Sequence, residues 1–361
     1  EIMGGAILET LRSLFSASAD NISLLYGGSM NAGNAEDYAA QDCIHGGLVG
    51  GAALQAESFL QVAAAIAAAD WRGRGERKLA DGAAVEAMRA VFDTVPFDGR
   101  VAIGEGERDD APMLWIGEPL GSLQGVEGAP QVDIAVDPLE CTNHVALDMP
   151  NAIAVLAAAP RGDLLHAPDC YMDKLAGPTE VVGEVSLEAD VSYNVEAAAA
   201  ALDKQVRDLR IVVMDRPRHE KLIKTLRGLD VSVPLIGDGD VSAALDAADP
   251  ASEIDMLMGI GAAPEGVITA TALRGLDAHF EGRLVTTTED HERRAREMLG
   301  DDVDRIWGRD DLCSSEDALF VASGVCSGYL PGVEKVGDQV AVHSEIIDVA
   351  ARSRQYVSSF Y

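Results

Sequence analysis

The sequence predicts an α/β protein. Short apolar runs that stop at Gly or Pro turns alternate with Ala-rich stretches of helical spacing. Carboxylates also recur where those runs stop, as they do at the strand ends of open sheets. The front reads helix, strand, helix, strand, helix. Ile7, Leu8, Leu11, Leu14 and Phe15 give 2–15 helical spacing, and Ile22–Tyr26 is a short strand ending in Gly27-Gly28-Ser29. A helix is expected at 34–40, a strand passing into a glycine turn at Gly46–Gly51, and a further Ala-rich helix at 55–69. Two consecutive βα units of this kind make parallel neighbours. Beyond residue 76, Val85, Met88, Val91 and Phe92 mark a helix over 83–94. Strands are predicted at Val101–Ile103, Val132–Val136, Ala152–Ala159, Ile211–Met214 and Val233–Ile236, with helices at 195–207, 218–227 and 241–247. Met256–Ile260 is a strand before a helix from about Val267 to Arg274, and Ala318–Ala322 and Gln339–Val342 are strand-like.

With 361 residues and 48% hydrophobic content, the chain can bury a substantial core in two or three domains. Asp, Glu or Arg interrupts every apolar run before it reaches membrane-spanning length. Glu1-Ile2-Met3-Gly4 lacks the basic start of a secretory signal, so the cytoplasm is the expected location, and the absence of an initial Met leaves room for residues upstream. Cys43, Cys141, Cys170, Cys313 and Cys326 have no CxxC spacing, which argues against a zinc site or a disulfide framework. The net charge of −32 makes nucleic acid and anionic lipid poor partners. Dense acid with only six lysines fits either a salt-rich cytoplasm or a GC-rich genome. An anionic substrate would need local cations or bound metals to reverse that field.

Four acidic stretches leave a strand or open a helix. Glu105 and Glu107 follow Val101–Gly104, Asp137 and Glu140 follow Asp133–Val136, Glu265 follows Met258–Gly261, and Asp81 heads a helix as Ala80-Asp81-Gly82. Singly, Asp81 reads as a helix N-cap, the Glu105 stretch as an acidic turn, and Glu265 as a residue welcomed by a helix dipole. Asp137-Pro138 reads as a turn that fixes two carboxylates three residues apart and then offers the Thr142 hydroxyl. Together they suggest hard oxygen ligands converging on Mg²⁺ or Mn²⁺.

The stretches LLYGGSMNAGNA (24–35) and GGLVGGAALQAESFL (46–60) resemble the last two strands and phosphate loops of triosephosphate isomerase. The resemblance covers 1–65 and implies a partial (β/α) barrel fragment, with Ser29, Gly50 and Gly51 matching phosphate-holding amides. That family's catalytic residues lie on strands absent here, and two strands cannot close a barrel. Isomerase activity is therefore not expected.

Residues 66–361 resemble the class II fructose-1,6-bisphosphatases of the lithium-sensitive phosphatase superfamily. The matching stretches, in order, are RGERKLADGAAVEAM, IGEGERDDAPML, VDIAVDPLECTN, HAPDCYMDKLAGP, RPRH, DGDV and GIGAAPEGV. The resemblance implies a layered sugar-phosphatase fold of alternating helix and sheet layers, with a metal-binding half over 66–205 and a substrate-binding half over 206–361. It implies two divalent ions, Mn²⁺ or Mg²⁺, one on Asp81 and Glu105 and the other on Asp137, Glu140 and Glu265. Thr142 would orient the attacking water, with Asp81 and Glu105 as catalytic partners. Glu140, Cys141, Thr142, Tyr171, Arg216, Pro217, Arg218, Asp238, Gly239, Asp240 and Ala262 would contact a sugar bisphosphate. His144, His166 and His219 read as packing or capping residues. Cys141 departs from the family's usual Gly, where a side chain crowds the site or opposes a positive φ. Asn143, His144, Arg216 and Ala262 also differ from the commonest forms.

The implied reaction removes the C1 phosphate of fructose 1,6-bisphosphate, giving fructose 6-phosphate and phosphate, in gluconeogenesis and in a homo-oligomer. Sedoheptulose bisphosphate, an inositol phosphate or a nucleotide phosphate are alternative substrates, and a non-catalytic fusion or scaffold is the alternative from another class.

Overall fold

The computed structural model describes residues 25–26, 46–47, 51–104 and 114–361, with side chains from residue 60 onward within that range. The chain divides into two units, Glu1–Phe59 and Leu60–Tyr361. In the first, β1 (Leu25–Tyr26) and β2 (Gly46–Gly47) pair in parallel, as two consecutive βα units require. The helices expected at 2–15 and 34–40, and the phosphate-loop positions Ser29 and Gly50, lie outside the described residues. Gly51 opens a helix, α1 (Gly51–Ala69), which begins four residues before the predicted one.

The second unit continues with α2 (Arg77–Phe92), β3 (Asp98–Gly104), β4 (Pro119–Leu120), β5 (Gln131–Glu140), α3 (Thr142–Leu147), β6 (Ile153–Pro160) and β7 (Tyr171–Gly177). Next come α4 (Val191–Ala201), β8 (Ile211–Met214), α5 (Glu220–Gly228), β9 (Leu235–Ile236), α6 (Asp240–Ala248), β10 (Met256–Ala262) and α7 (Ala263–Gly275). The chain ends with β11 (His279–Val285), α8 (Glu289–Leu299), β12 (Ile306–Gly308), α9 (Arg309–Leu312), β13 (Leu319–Gly324), β14 (Glu334–Val336), β15 (Gln339–Asp348) and β16 (Ser353–Phe360).

Two mixed sheets result. One runs β14-β15-β13-β6-β5-β3-β4 with β16 also paired to β15, and the other runs β12-β11-β7-β10-β8-β9. The first draws on 98–160 and 319–360 and the second on 171–308, so each sheet has strands on both sides of position 205.

Three apolar clusters explain the layering. Along β5, Ile134 and Val136 pack with α2 and with α1 from Leu60 onward, while Ala135 points into the cluster shared with α6 and α7. Along β7 and β10, Met172, Ala176 and Leu257 face α6 and α7, whereas Leu175, Met256 and Met258 face α4 and α5. Helices thus cover both faces of each sheet, and α6–α7 form the layer shared by both. Strands buried on two faces carry near-continuous apolar runs rather than alternation. This is the alternating helix and sheet layering that the family resemblance implies.

Several local expectations are corrected. Asp81 is the fifth residue of α2 rather than its cap; the cap position is Glu76, because Arg77, Lys78, Leu79 and Ala80 all favour helix. The Asp137-Pro138 stretch is not a turn but the end of β5, which carries a bulge: Asp137 lies opposite Val155 and Glu140 opposite Ile153. Pro138 cannot donate to a ladder, and a bulge is where a strand tolerates it. Ala263-Pro264-Glu265-Gly266 is the first turn of α7 rather than a turn before it, because Pro at the helix start is preset for that geometry. Helix α4 starts and ends earlier than predicted.

The four described cysteines are buried and unpaired, and Cys43 lies outside the described residues. Among the described residues no helix is long and apolar enough to cross a membrane.

Candidate active site

The bulge in β5 is the first determinant of the site. In a regular strand, residues three apart face opposite sides. The extra residue places Asp137 and Glu140 on the same cavity, a space of about 230 Å³. That cavity is also lined by Cys141, Thr142, Tyr171, Arg216, Arg218, Asp238, Asp240, Ala262 and Glu265. Pro217 and Gly239 stand beside it in the chain but do not line it. Asp81, half-buried on α2, does not line it either, and Glu105 lies outside the described residues.

Two left-handed residues launch helices here. Cys141 (φ 69°) caps α3 and Gly239 (φ 93°) caps α6. A side chain on Gly239 would place its Cβ 2.9 Å from Cys141 Sγ, so the thiol occupies space that the glycine leaves free. The positive φ that a family Gly adopts easily is therefore present in this chain with a side chain attached, at a strain on the order of 1–3 kcal/mol.

The acids are buried and poorly neutralised. Asp137 Oδ1 accepts from the Leu139 amide at 2.9 Å. Glu140 Oε1 accepts from the Val241 amide at 3.1 Å, at the start of α6, but Glu140 Oε2 and Glu265 Oε2 are buried without a partner. Burial, reinforced by Asp240 and Glu265, holds the Glu140 carboxyl well above its usual range. Burial also raises Glu265 to about 7 against the pull of Lys174.

Lys174 was not among the residues expected from sequence. It lies in β7, 1% exposed, with Nζ 2.6 Å from Asp240 Oδ2. Gly261 and Gly266 make its slot: a Cβ on Gly261 would meet Asp240 Oδ2 at 1.8 Å and Lys174 Nζ at 2.9 Å. A Cβ on Gly266 would stand 3.4 Å from Lys174 Cε. The signal that could have found it is the glycine pair around Glu265.

The rim is cationic. Arg218 Nε and Nη2 donate to the Ile260 carbonyl at 3.0 and 2.7 Å, and its guanidinium lies 4.9 Å from the Tyr171 ring centroid. Arg216 pairs with Asp238 at 3.5 Å. Tyr171 stands opposite Ala262 across β7 and β10. His144 Nδ1 bonds the Pro150 carbonyl, His166 Nδ1 that of Ala102 and His219 Nδ1 that of Met214, consistent with packing or capping roles.

Among the described residues no three Asp, Glu, His or Cys side chains are gathered closely enough to hold a metal ion. Of the five carboxylates expected to hold cations, Asp81 does not line the cavity and Glu105 lies outside the described residues, whereas Asp137, Glu140 and Glu265 line it together. Their chemistry still fits a divalent cation: hard oxygen donors, two of them orphaned, in a pocket that pushes them toward protonation for want of positive charge.

A buried acidic cavity that also carries two guanidinium groups is suited to holding a cation together with an anionic group. Comparison with known proteins agrees. Residues 56–361 match the family model described as "Bacterial fructose-1,6-bisphosphatase, glpX-encoded", and residues 1–66 match the triosephosphate isomerase model. A Synechococcus sp. (strain JA-3-3Ab) protein named D-fructose 1,6-bisphosphatase class 2/sedoheptulose 1,7-bisphosphatase is 44% identical, over 82% of this chain and 92% of the relative. Proteins of the same name from Trichodesmium erythraeum (strain IMS101) and, as form 2, Acaryochloris marina (strain MBIC 11017) are 41% and 42% identical over the same shares. The chain belongs to the bacterial class II fructose-1,6-bisphosphatase family, whose members are metal-dependent phosphatases. Its first 66 residues are similar to a part of triosephosphate isomerase.

Proposed function

We propose that this chain hydrolyses the C1 phosphate of fructose 1,6-bisphosphate to fructose 6-phosphate and phosphate, as a step of gluconeogenesis in the cytoplasm, in a homo-oligomer. The observation that carries this reading is one cavity with two orphaned buried carboxylate oxygens, Glu140 Oε2 and Glu265 Oε2, and with Arg216 and Arg218 at its rim.

Two divalent cations, Mn²⁺ or Mg²⁺, would be held by Asp81 and Glu105 and by Asp137, Glu140 and Glu265. When bound, they supply Lewis acidity that neutralises phosphoryl charge and brings a water's pKa from 15.7 toward about 7. The chain's own groups do the rest. The Thr142 hydroxyl orients the attacking water beside Glu140. Arg218, assisted by Arg216, forks onto the phosphate that stays on the sugar, and Tyr171 packs against the same end. Asp238 and Asp240 accept hydrogen bonds from sugar hydroxyls. Residues 66–205 supply most of the metal ligands and 206–361 most of the substrate contacts, with Glu265 crossing between them.

The relatives' names join two activities, which favours sedoheptulose 1,7-bisphosphate as a second substrate. The test is phosphate release by the purified chain with Mn²⁺ from both bisphosphates, an inositol monophosphate and a nucleotide monophosphate. Release from fructose 1,6-bisphosphate should exceed that from either monophosphate. Preference for a monophosphate overturns the assignment.

A further inference from the structure

His219 lies beneath the rim rather than in the cavity. It ends the short turn Pro217–His219, one residue after Arg218, and is 2% exposed. Both ring nitrogens are engaged: Nδ1 lies 2.7 Å from the Met214 carbonyl oxygen, and Nε2 lies 2.7 Å from the Ile260 amide. A carbonyl can only accept and an amide can only donate. The ring is therefore neutral, with its hydrogen on Nδ1 and its lone pair on Nε2. Burial favours the same uncharged form.

These two bonds close a gap in the sheet. Strands β8 and β10 pair in parallel only at Met256–Ile211 and Leu257–Val212. Beyond that point they separate, toward the carboxyl ends where open sheets leave a crevice. The imidazole spans the separation, from the last residue of β8 to Ile260 near the end of β10. It takes the place of the strand that would otherwise receive the Ile260 N–H. Gly259 leaves room for it: with φ at 140°, a Cβ there would stand 3.0 Å from His219 Nε2.

Ile260 is also the residue that holds Arg218. Its carbonyl accepts both the Nε and Nη2 bonds of that guanidinium. The chain of contacts runs from the Met214 carbonyl through the imidazole to the Ile260 backbone, and from there to the arginine at the rim. We propose that His219 is a positioning residue: as a neutral wedge between β8 and β10 it fixes the Ile260 carbonyl, and thereby the reach of Arg218 toward the phosphate left on the sugar. This rests on the reading of Arg218 given above. It makes His219 a determinant of affinity for the second phosphate rather than of the hydrolytic step.

The test compares two substrates on the full chain with Mn²⁺: fructose 1,6-bisphosphate, and p-nitrophenyl phosphate, which has no second phosphate. His219→Phe keeps the volume and removes both bonds. It should raise KM for the bisphosphate about tenfold or more while kcat stays within about threefold, since a displaced clamp loses binding more than chemistry. kcat/KM for p-nitrophenyl phosphate should be unchanged. His219→Gln, whose amide can both donate and accept, should recover most of the lost affinity. His219→Asn, too short to reach both the Met214 carbonyl and the Ile260 amide, should raise KM in the parent but alter it no further in an Arg218→Ala background, and this comparison decides if His219→Phe does not fold. Proportional loss on both substrates, or additive effects in the Arg218→Ala background, overturns the proposal. No release from the bisphosphate by the unaltered chain instead overturns the reading of the site, and the inference with it.

Discussion

Replacing Lys174 with Met should unsettle the molecule before it touches the chemistry. The side chain is 1% exposed, and its Nζ stands 2.6 Å from Asp240, itself 6% exposed. Met preserves most of the stem and removes the charge. Asp240 is then left buried beside Glu140 and Glu265, both of whose carboxyls its charge already raises. Removing one partner of a buried ion pair costs about 3–5 kcal/mol, because the other charge stays desolvated. At about 2–4 °C per kcal/mol for a domain of this size, Tm should fall by roughly 6–20 °C. The assay is thermal unfolding with a chelator present, so that cations cannot mask the deficit. Adding Asp240→Asn to Lys174→Met removes the stranded charge and should restore more than half of the lost Tm. If Lys174→Met melts within about 2 °C of the parent, the pair does not carry the energetic weight assigned to it. A double variant less stable than the single refutes that weight equally.

Three further outcomes follow from the same geometry. Gly261→Ala forces a Cβ to within 1.8 Å of Asp240 Oδ2, so the Lys174–Asp240 pair must move; phosphate release should drop about a hundredfold, and full activity contradicts the packing described. Cys141 already holds φ 69°, so Cys141→Gly should leave Tm within about 4 °C and turnover undiminished. Cys141→Val, β-branched in a left-handed residue, should lose about 2 kcal/mol or more, and equal Tm values for the two contradict this. Burial holds His279 at about 4, down from 6.5, with Arg309 adding to the effect. The folded state thus favours the neutral ring, and its contribution is complete above pH 6.5 and lost as pH falls from 6.5 toward 4. Against His279→Phe, the parent should lose about 3 kcal/mol more stability between pH 7 and pH 4; parallel pH profiles contradict it.

Much of this architecture was legible because strands covered on both faces announce themselves as apolar runs. Ile211–Met214 appears at its predicted bounds, β3, β5, β10 and β15 extend predicted cores, and β6 and β13 begin one residue later than predicted. The longer strands that went unseen, β7, β11 and β16, carry polar residues for reasons no local pattern reveals. β7 contains Asp173 and Lys174, and β11 contains Glu281 and Arg283. Lys174 is almost never the kind of residue found in a core without a partner, and its partner is 66 positions away. β16 is half-exposed along its length and reads as Ser-rich coil. Helix α8 is charged nearly throughout, held by pairs such as Arg293–Glu297 and Arg296–Glu292 rather than by an apolar stripe. At the site, motif order named many of the residues that line one cavity, though Asp81, Pro217 and Gly239 do not line it, whereas the bulge that turns Asp137 and Glu140 to the same side depends on β6 and could not be read locally. The sequence equally concealed that Cys141 accepts the left-handed backbone, since Gly239 makes the room from nearly a hundred residues further on.

The central proposal is that Asp137, Glu140 and Glu265, which line one cavity, supply oxygen ligands to a divalent cation needed to hydrolyse a sugar bisphosphate. Its most direct test is phosphate release from fructose 1,6-bisphosphate as Mn²⁺ is titrated into chelator-treated protein, with Glu140→Ala run in parallel. The account predicts no release without cation, saturable recovery on adding it, and neither cation-induced stabilisation nor turnover in Glu140→Ala. Undiminished release in the chelator, or an active Glu140→Ala protein, contradicts it.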